Sequence, residues 1–155
     1  YRSSRGLGDV YKRQKLDDLK IKNILSKMKI IGLVGASDNP EKPSNIVMRY
    51  LQTKGYKVFP INPTKINMKI NDELCYSSLL DIPYSIDMVD VFRRSEDCLE
   101  IAKQAIQINA KVFWMQLNIF NKEAFNLVTK NNIQCIYDKC PKIEYSRIFN
   151  ELENI

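Results

Sequence analysis

The sequence predicts an α/β fold built on a doubly wound parallel sheet of five strands in three layers. Two observations carry this prediction: short, almost wholly apolar runs recur along the chain, and a segment of helical periodicity separates each run from the next. Apolar runs of this kind are typical of parallel strands that helices cover on both faces. A chain of 155 residues suits a single domain.

The first half of the chain contains one strand–helix–strand unit. Apolar residues at helical spacing predict a helix over 16–27 that covers the sheet. The run KIIGLV over 29–34 predicts a buried strand, and the turn-forming loop GASDNPEKPSN follows it. Ser44 can cap a helix over 45–54, and YKVFPIN over 56–62 predicts the second strand. The crossover between these strands should be right-handed.

The same alternation continues after a long connection, residues 64–81, which shows only weak helical content. Ser95 and Asn121 are predicted to cap the next two helices. The result is a Rossmann-like arrangement of strands and helices. The predicted elements are strands at 85–92, 110–116 and 133–138 and helices over 96–108, 122–131 and about 142–152.

The first residues carry most of the net charge. The chain has a formal charge of +6, and residues 1–28 hold +5 of it, so the rest of the chain is almost neutral. A nucleic-acid binder needs its positive charge on the folded surface, and we therefore expect no nucleic-acid partner. Residues 1–14 lack apolar periodicity, and GLGDVYKRQ resembles translated sequencing-adapter sequence. We interpret 1–14 as a non-native or disordered tail and 15–155 as the domain.

Composition also indicates the compartment. No apolar run approaches the roughly 18–20 residues of a membrane helix, and no apolar signal-peptide segment is present, so we expect no membrane partner. Four cysteines, Cys75, Cys98, Cys135 and Cys140, fall inside the core pattern. We interpret them as reduced thiols of a cytoplasmic protein.

Ligands of doubly wound sheets bind outside the carboxyl ends of the strands. After the first strand, Gly35 allows a sharp turn, Ser37 offers a hydroxyl and Lys42 adds a cation near a helix N-terminus, which attracts anions. Lys65 lies in another loop at this edge. The loops expected to form the site are 35–44, 62–66, 92–95, 116–120 and 138–142.

A dinucleotide site is the obvious competitor, and the sequence disfavours it. The G-x-G-x-x-G fingerprint is absent, because Gly32 and Gly35 are three positions apart and no third glycine follows. Asn62 stands at the end of the second strand, where an acidic residue normally holds the ribose of NAD. An NAD(P)-binding oxidoreductase fragment stays open as an alternative.

Several segments together resemble the small stand-alone CoA-binding domain proteins, which are related to the CoA-binding domain of the succinyl-CoA synthetase alpha subunit. The resemblance runs from about residue 16 to 148 and implies a Rossmann-like fold that binds coenzyme A or an acyl-CoA at the carboxyl edge of the sheet. Asn71 and Asn118 stand where the family usually has glycine, and Asn best tolerates a left-handed backbone. The segments are GASDNPEKPS (35–44), GYKVFPINP (55–63), DMVDVFRRSED (87–97), VFWMQLNI (112–119) and DKCPKIE (138–144).

The resemblance also implies which residues hold the cofactor. It assigns Gly35, Ala36 and Ser37 to a phosphate-binding turn, and Lys42 and Ser44 to the far side of that loop. It places Asn62 and Pro63 at the end of the second strand, near the adenosine. It assigns Phe92, Arg93 and Arg94 to the motif after the third strand, and Gln116 to the edge of the fourth. Arg93 and Arg94 can instead pair with nearby acids on the surface.

Catalytic groups are scarce. The chain has no histidine, which removes Ser-His-Asp and Cys-His pairs and histidine-ligated zinc, and the cysteines lack metal-site spacing. Asp90 is expected to pair with a loop arginine or a backbone amide. Cys140 is either a structural thiol or one that a CoA thiol can reach. The sequence favours a non-catalytic binding module, with a CoA-dependent transferase subunit as an alternative; a protein partner or homo-oligomer stays open.

Overall fold

The computed structural model describes residues 2–149, with the side chains of residues 8–149. Strands and helices alternate along this part of the chain, as the sequence predicts. The strands are β1 (Ile30–Val34), β2 (Lys57–Ile61), β3 (Lys69–Ile70), β4 (Glu73–Leu74), β5 (Met88–Val91), β6 (Val112–Met115) and β7 (Gln134–Ile136). The helices are α1 (Arg2–Lys27), α2 (Pro43–Thr53), α3 (Cys98–Gln107), α4 (Lys122–Lys130) and α5 (Pro141–Ile148).

Five parallel strands form the central sheet in the order β2-β1-β5-β6-β7. The chain leaves β1 toward one edge to form β2 and then returns to the other side of β1 to form β5. The strand order therefore reverses between β1 and β5, and this switch point is where ligands of such sheets bind. The predicted five-stranded parallel sheet is confirmed.

Helices cover both faces of the sheet, which confirms the three layers. Along β6, Val112 and Trp114 belong to one buried cluster, and Phe113 and Met115 belong to the other. This alternation is the period of two that a strand imposes on its side chains. The first cluster includes residues of α1 and α2 and packs against α5, and the second includes residues of α3 and α4. We call these the α2/α5 face and the α3/α4 face.

Several predicted boundaries and caps differ from the structure. The helix predicted over 16–27 begins much earlier, at Arg2, and the helix predicted to about 152 ends at Ile148, with residues 150–152 outside the described part. Whether residues 1–14 belong to the domain stays a prediction. The remaining helices lie where the pattern places them, within a few residues.

The cap predictions are partly wrong. Ser44 lies inside the first turn of α2, because Lys42 is the residue that precedes this helix. Ser95 begins a short 3-10 turn before α3, and its Oγ accepts a hydrogen bond from the amide of Phe120. Asn121 does cap α4, because its Oδ1 accepts from the amide of Ala124 at 2.8 Å.

The long connection contains an antiparallel hairpin, β3 and β4, that the sequence pattern missed. Its turn residues Asn71 and Asp72 have φ of 49° and 67°, the left-handed backbone that two-residue hairpin turns require. Asn118 also has a positive φ, at 63°. The prediction that asparagine preserves the two turns where the family has glycine is therefore confirmed.

The cysteines are free and buried, as predicted. Burial raises the pKa of Cys98 to about 11 and that of Cys135 to about 12, which keeps both sulfurs as inert thiols near neutral pH. Among the described helices, none combines the length and apolar character needed to cross a membrane.

Asp90 lies at the centre of the sheet on β5, between Leu33 of β1 and Trp114 of β6 in register. Its side chain is fully buried, and neither carboxyl oxygen has a hydrogen-bond partner among the described residues. The predicted pairing with a loop arginine or a backbone amide is therefore wrong. Asp87, at the other end of the strand, does bind backbone amides, those of Lys29 and Ile30 at 3.0 Å. Burial without a partner raises the pKa of Asp90 well above its usual value.

Because of this raised pKa, Asp90 lowers the free energy of unfolding by an amount that increases with pH. Because the folded pKa exceeds the unfolded one, the contribution of Asp90 to the free energy of unfolding is most favourable below about pH 4 and falls as pH rises toward the folded pKa, by about 1.4 kcal/mol for each pH unit between the two pKa values. The Asp90→Asn variant lacks the titrating group. We expect it to gain stability over the parent as pH rises from 4 to 7, measured by urea unfolding. A difference that does not change with pH would contradict a buried, titrating carboxyl.

Candidate functional site

The backbones that follow β1 and β5 meet closely at the switch point. Gly35 has φ of 91°, and a Cβ placed on it would lie 2.4 Å from the carbonyl oxygen of Phe92 and 3.2 Å from Cδ of Arg93. No side chain fits there, and the positive φ independently favours glycine. The first predicted site residue is therefore a glycine because two chain segments must touch.

A second set of contacts ties the loop after β1 to the end of β2. The amides of Gly35 and Ala36 both donate to the carbonyl oxygen of Ile61, at 3.0 and 3.1 Å. Nδ2 of Asn62 donates to the carbonyl oxygen of Ala36 at 2.8 Å, while its Oδ1 accepts from the amide of Thr64 at 2.9 Å. The amides of Gly35 and Ala36 are occupied, so they shape the turn and leave the binding of an anion to groups further along the loop.

The rest of this loop leads into the N-terminus of α2. Ser37 Oγ accepts from the amide of Asn39 at 3.1 Å, and the carbonyl oxygen of Ser37 accepts from Nδ2 of Asn45 at 2.7 Å. Lys42 directly precedes α2, and Ser44 is buried in its first turn. The first N–H groups of a helix have no intrahelical acceptor and carry a partial positive charge. This N-terminus, with the cation of Lys42 beside it, suits an anion.

Lys65 brings a second cation to the same region. It ends a short 3-10 turn after β2, and its Nζ lies 3.3 Å from Oδ2 of Asp38 in the loop after β1. The ion pair is partly exposed to solvent, where such pairs are weak. A phosphate can therefore replace the Asp38 carboxylate at little cost.

An open pocket of ≈ 370 Å³ lies beside the switch point on the α3/α4 face. Its apolar wall comes from the ends of β1 and β2 and from α3, and its polar groups come from the loops and the start of α3. The apolar residues are Val34, Ile61 and Ile101; the polar ones include Asn62, Ser77, Ser78, Arg93, Glu96, Asp97, Glu100 and Gln104.

Arg93 and Arg94 both contact acidic side chains at the start of α3. Arg93 lies 3.3 Å from Oδ2 of Asp97, and Arg94 lies 2.9 Å from Oε1 of Glu96 and 3.3 Å from Oδ2 of Asp97. The ion pairs between these arginines and nearby acids, which the sequence left open as an alternative, are therefore present. The Arg94 side chain is 73% exposed and lies outside the pocket lining, whereas Arg93 lines the pocket. An arginine has five N–H donors, so a single carboxylate contact leaves Arg93 able to bind a phosphate.

Gln116 lies on the opposite face from the pocket. It follows β6 and is 5% exposed, and its amide donates to the carbonyl oxygen of Val91. By strand alternation its side chain shares the α2/α5 face with Trp114. Within residues 8–149, Oε1 of Gln116 has no hydrogen-bond partner. Cys140, buried before α5, belongs to the same cluster as Trp114, whose Nε1 donates to the carbonyl oxygen of Lys139 at 2.8 Å.

The structure brings only part of the predicted site together. Ser37, Lys42 and Ser44 belong to the α2 side of the switch point, Arg94 turns outward, and Gln116 lies behind the pocket. The predicted residues that line the pocket are Gly35, Ala36, Asn62, Pro63, Phe92 and Arg93.

Sequence reasoning missed the pocket residues outside the strand-end loops. Ser77 and Ser78 reach the pocket because the long connection runs beside β2, through a parallel bridge between Ile61 and Tyr76. Glu100 and Gln104 come from α3, whose helical pattern carries no sign of a ligand. Ser78 Oγ and Gln104 Oε1 lie 3.4 Å apart, so the two missed segments meet at the pocket.

Comparisons with known proteins identify relatives in sequence and in fold. Residues 29–146 match the family model for the CoA binding domain. The chain is 37% identical over 130 residues to protein YneT of Bacillus subtilis (strain 168), covering 82% of this chain and 93% of that protein. A solved structure of a hypothetical protein from Pyrococcus horikoshii OT3 is 39% identical with a TM-score of 0.81, covering 85% of this chain and 92% of that one. Another, from Thermus thermophilus, is 30% identical with a TM-score of 0.82, covering 85% and 98%. The chain therefore belongs to the CoA binding domain family.

Proposed function

We propose that this protein binds coenzyme A or an acyl-CoA and does so as a binding module, without catalysing a reaction itself. The observation that carries the proposal is the close approach of Gly35 to Phe92 at the switch point, with the pocket on one side and the loop that leads to the N-terminus of α2 on the other; we call this region the crevice. Membership of the CoA binding domain family supports CoA as the ligand. The absence of histidine from the sequence supports a binding role.

The distribution of charge suggests how the ligand lies. Glu96, Asp97 and Glu100 form the α3 wall of the pocket and repel phosphate, whereas Lys42 and Lys65 lie on the α2 side of the crevice. We therefore place the uncharged adenosine in the pocket and the phosphates toward the two lysines. The volume of ≈ 370 Å³ is at the low end for ligand sites, which suits one end of a CoA molecule.

Arg93 lies between these two regions. Its guanidinium group contacts Asp97, and its Cδ is near the position that a Gly35 side chain would take. A phosphate bound at the crevice would be within reach of this side chain. The buried free thiols of Cys75, Cys98 and Cys135 support a reducing compartment, and we propose a cytoplasmic location.

The first test is selective stabilisation by the ligand. Because a ligand that binds only the folded state stabilises it, CoA at about 100 times its dissociation constant should add about 2.7 kcal/mol to the free energy of unfolding. NAD should add nothing, since Asn62 uses its side chain to hold the loops and offers no carboxylate to a ribose. Thermal unfolding with CoA, acetyl-CoA, NAD and NADP measures this. Stabilisation by NAD without stabilisation by CoA would contradict the proposal.

The second test removes the arginine at the crevice. Arg93→Ala should weaken CoA binding by about 1.5–3 kcal/mol, because a charge-assisted hydrogen bond to phosphate is lost. Isothermal titration calorimetry with CoA gives the affinity. Lys130→Ala removes one exposed positive charge from the end of α4 and serves as the matched control. Equal affinities for the parent, Arg93→Ala and Lys130→Ala would leave Arg93 as a surface ion pair.

A further inference from the structure

Two buried side chains on the α2/α5 face have polar atoms that the fold does not satisfy. Within residues 8–149, the buried side-chain atoms without a hydrogen-bond partner are Oδ1 and Oδ2 of Asp90 and Oε1 of Gln116. Asp90 is 0% exposed and Gln116 is 5% exposed. Leaving a buried polar group unpaired destabilises the fold, and native proteins retain few such groups.

The two side chains lie at the same end of the same face. Asp90 is opposite Trp114 in the parallel register, and Gln116 is two residues further along the same strand direction. Residues two apart on a strand point to the same face, so Asp90, Trp114 and Gln116 share the α2/α5 face. Both unpaired groups therefore belong to the carboxyl half of the sheet, next to the switch point.

Phe92 connects this polar pair with the crevice. It is two residues beyond Asp90, so its side chain points to the same face and packs against the cluster that contains Trp114 and Cys140. Phe92 also lines the pocket on the other side of the switch point. Phe92 therefore borders both the pocket and the cluster on the face that holds the two unpaired groups.

We propose that the side chains of Asp90 and Gln116 form a subsite for an amide group of the pantetheine arm of CoA. This inference rests on the proposed function. Each amide of that arm offers one N–H donor and one carbonyl acceptor. Oε1 of Gln116 is an acceptor for the N–H, and a buried carboxyl in its neutral form donates its O–H to the carbonyl.

The same chemistry disfavours the charged end of the ligand. An ionised phosphate has only acceptor oxygens, so it cannot pair with the unpaired acceptor Oε1 of Gln116, and burying its charge beside the fully buried Asp90 is costly. Burial raises the pKa of Asp90 and so favours its neutral form, and a neutral acid lets an uncharged arm approach without burying a charge. The subsite thus complements the phosphate side of the crevice, where Lys42 and Lys65 supply positive charge.

The experiment compares CoA with a fragment that has no pantetheine arm, adenosine 3′,5′-bisphosphate. Both affinities are measured by isothermal titration calorimetry for the parent, Gln116→Met and Asp90→Leu, whose side chains have similar sizes and cannot form these hydrogen bonds. We expect the ratio of CoA affinity to bisphosphate affinity to fall about tenfold in each variant, which corresponds to about 1.4 kcal/mol. Gln134→Met, at an exposed glutamine of β7, is the matched control and should keep the ratio of the parent.

A rescue variant separates hydrogen bonding from packing. Asp90→Asn keeps an N–H donor at the same place, so its ratio should stay within about threefold of the parent ratio. Thermal unfolding confirms that each variant folds before titration. An unchanged ratio in both Gln116→Met and Asp90→Leu, the result expected if only water meets these groups, would overturn the subsite. A parent that does not bind CoA at all would instead overturn the proposed function.

Discussion

The close approach of Gly35 to the carbonyl oxygen of Phe92 is the constraint on which the site depends. It holds the ends of β1 and β5 together where the strand order reverses, and it forces a positive φ on Gly35. The amides of Gly35 and Ala36 then bind Ile61, which fixes the loop after β1 against β2. The pocket, the start of α2 and the side chain of Arg93 take their positions from this junction.

The two sides of the junction have different chemistry, and together they suit a ligand with distinct parts. The α2 side offers a helix N-terminus with Lys42 and a weakly paired Lys65, whereas the α3 side has an apolar wall with acidic residues at its rim. On the α2/α5 face next to this junction, Asp90 and Gln116 are buried, and they have side-chain oxygens without hydrogen-bond partners among the described residues. CoA has a charged phosphate region, a nucleoside and an amide-bearing arm, one for each environment.

The sequence was sufficient to predict the sheet, because buried parallel strands are apolar runs and helices have their own period. It also placed Gly35, Asn62 and Arg93 at the carboxyl edge, since the ends of parallel strands meet there. It could not reveal β3 and β4, whose two residues each are too short for a pattern. Ser78 and Gln104 were missed because they reach the pocket through contacts distant in sequence, and Asp90 looked like a paired acid because sequence does not show partners.

Alanine variants of two glycines, Gly35 and Gly55, provide a direct test of the junction. Gly35 and Gly55 both have positive φ, at 91° and 94°, but a Cβ on Gly55 meets nothing within 4 Å. Both alanine variants should lose about 1 kcal/mol from backbone strain, and Gly35→Ala should lose roughly 1–3 kcal/mol more from overpacking. Urea unfolding gives the stability, and calorimetric titration gives the CoA affinity. We expect Gly35→Ala to lose CoA binding and Gly55→Ala to keep it; parent-like CoA affinity in both variants would show that the contact between Gly35 and Phe92 does not form the site.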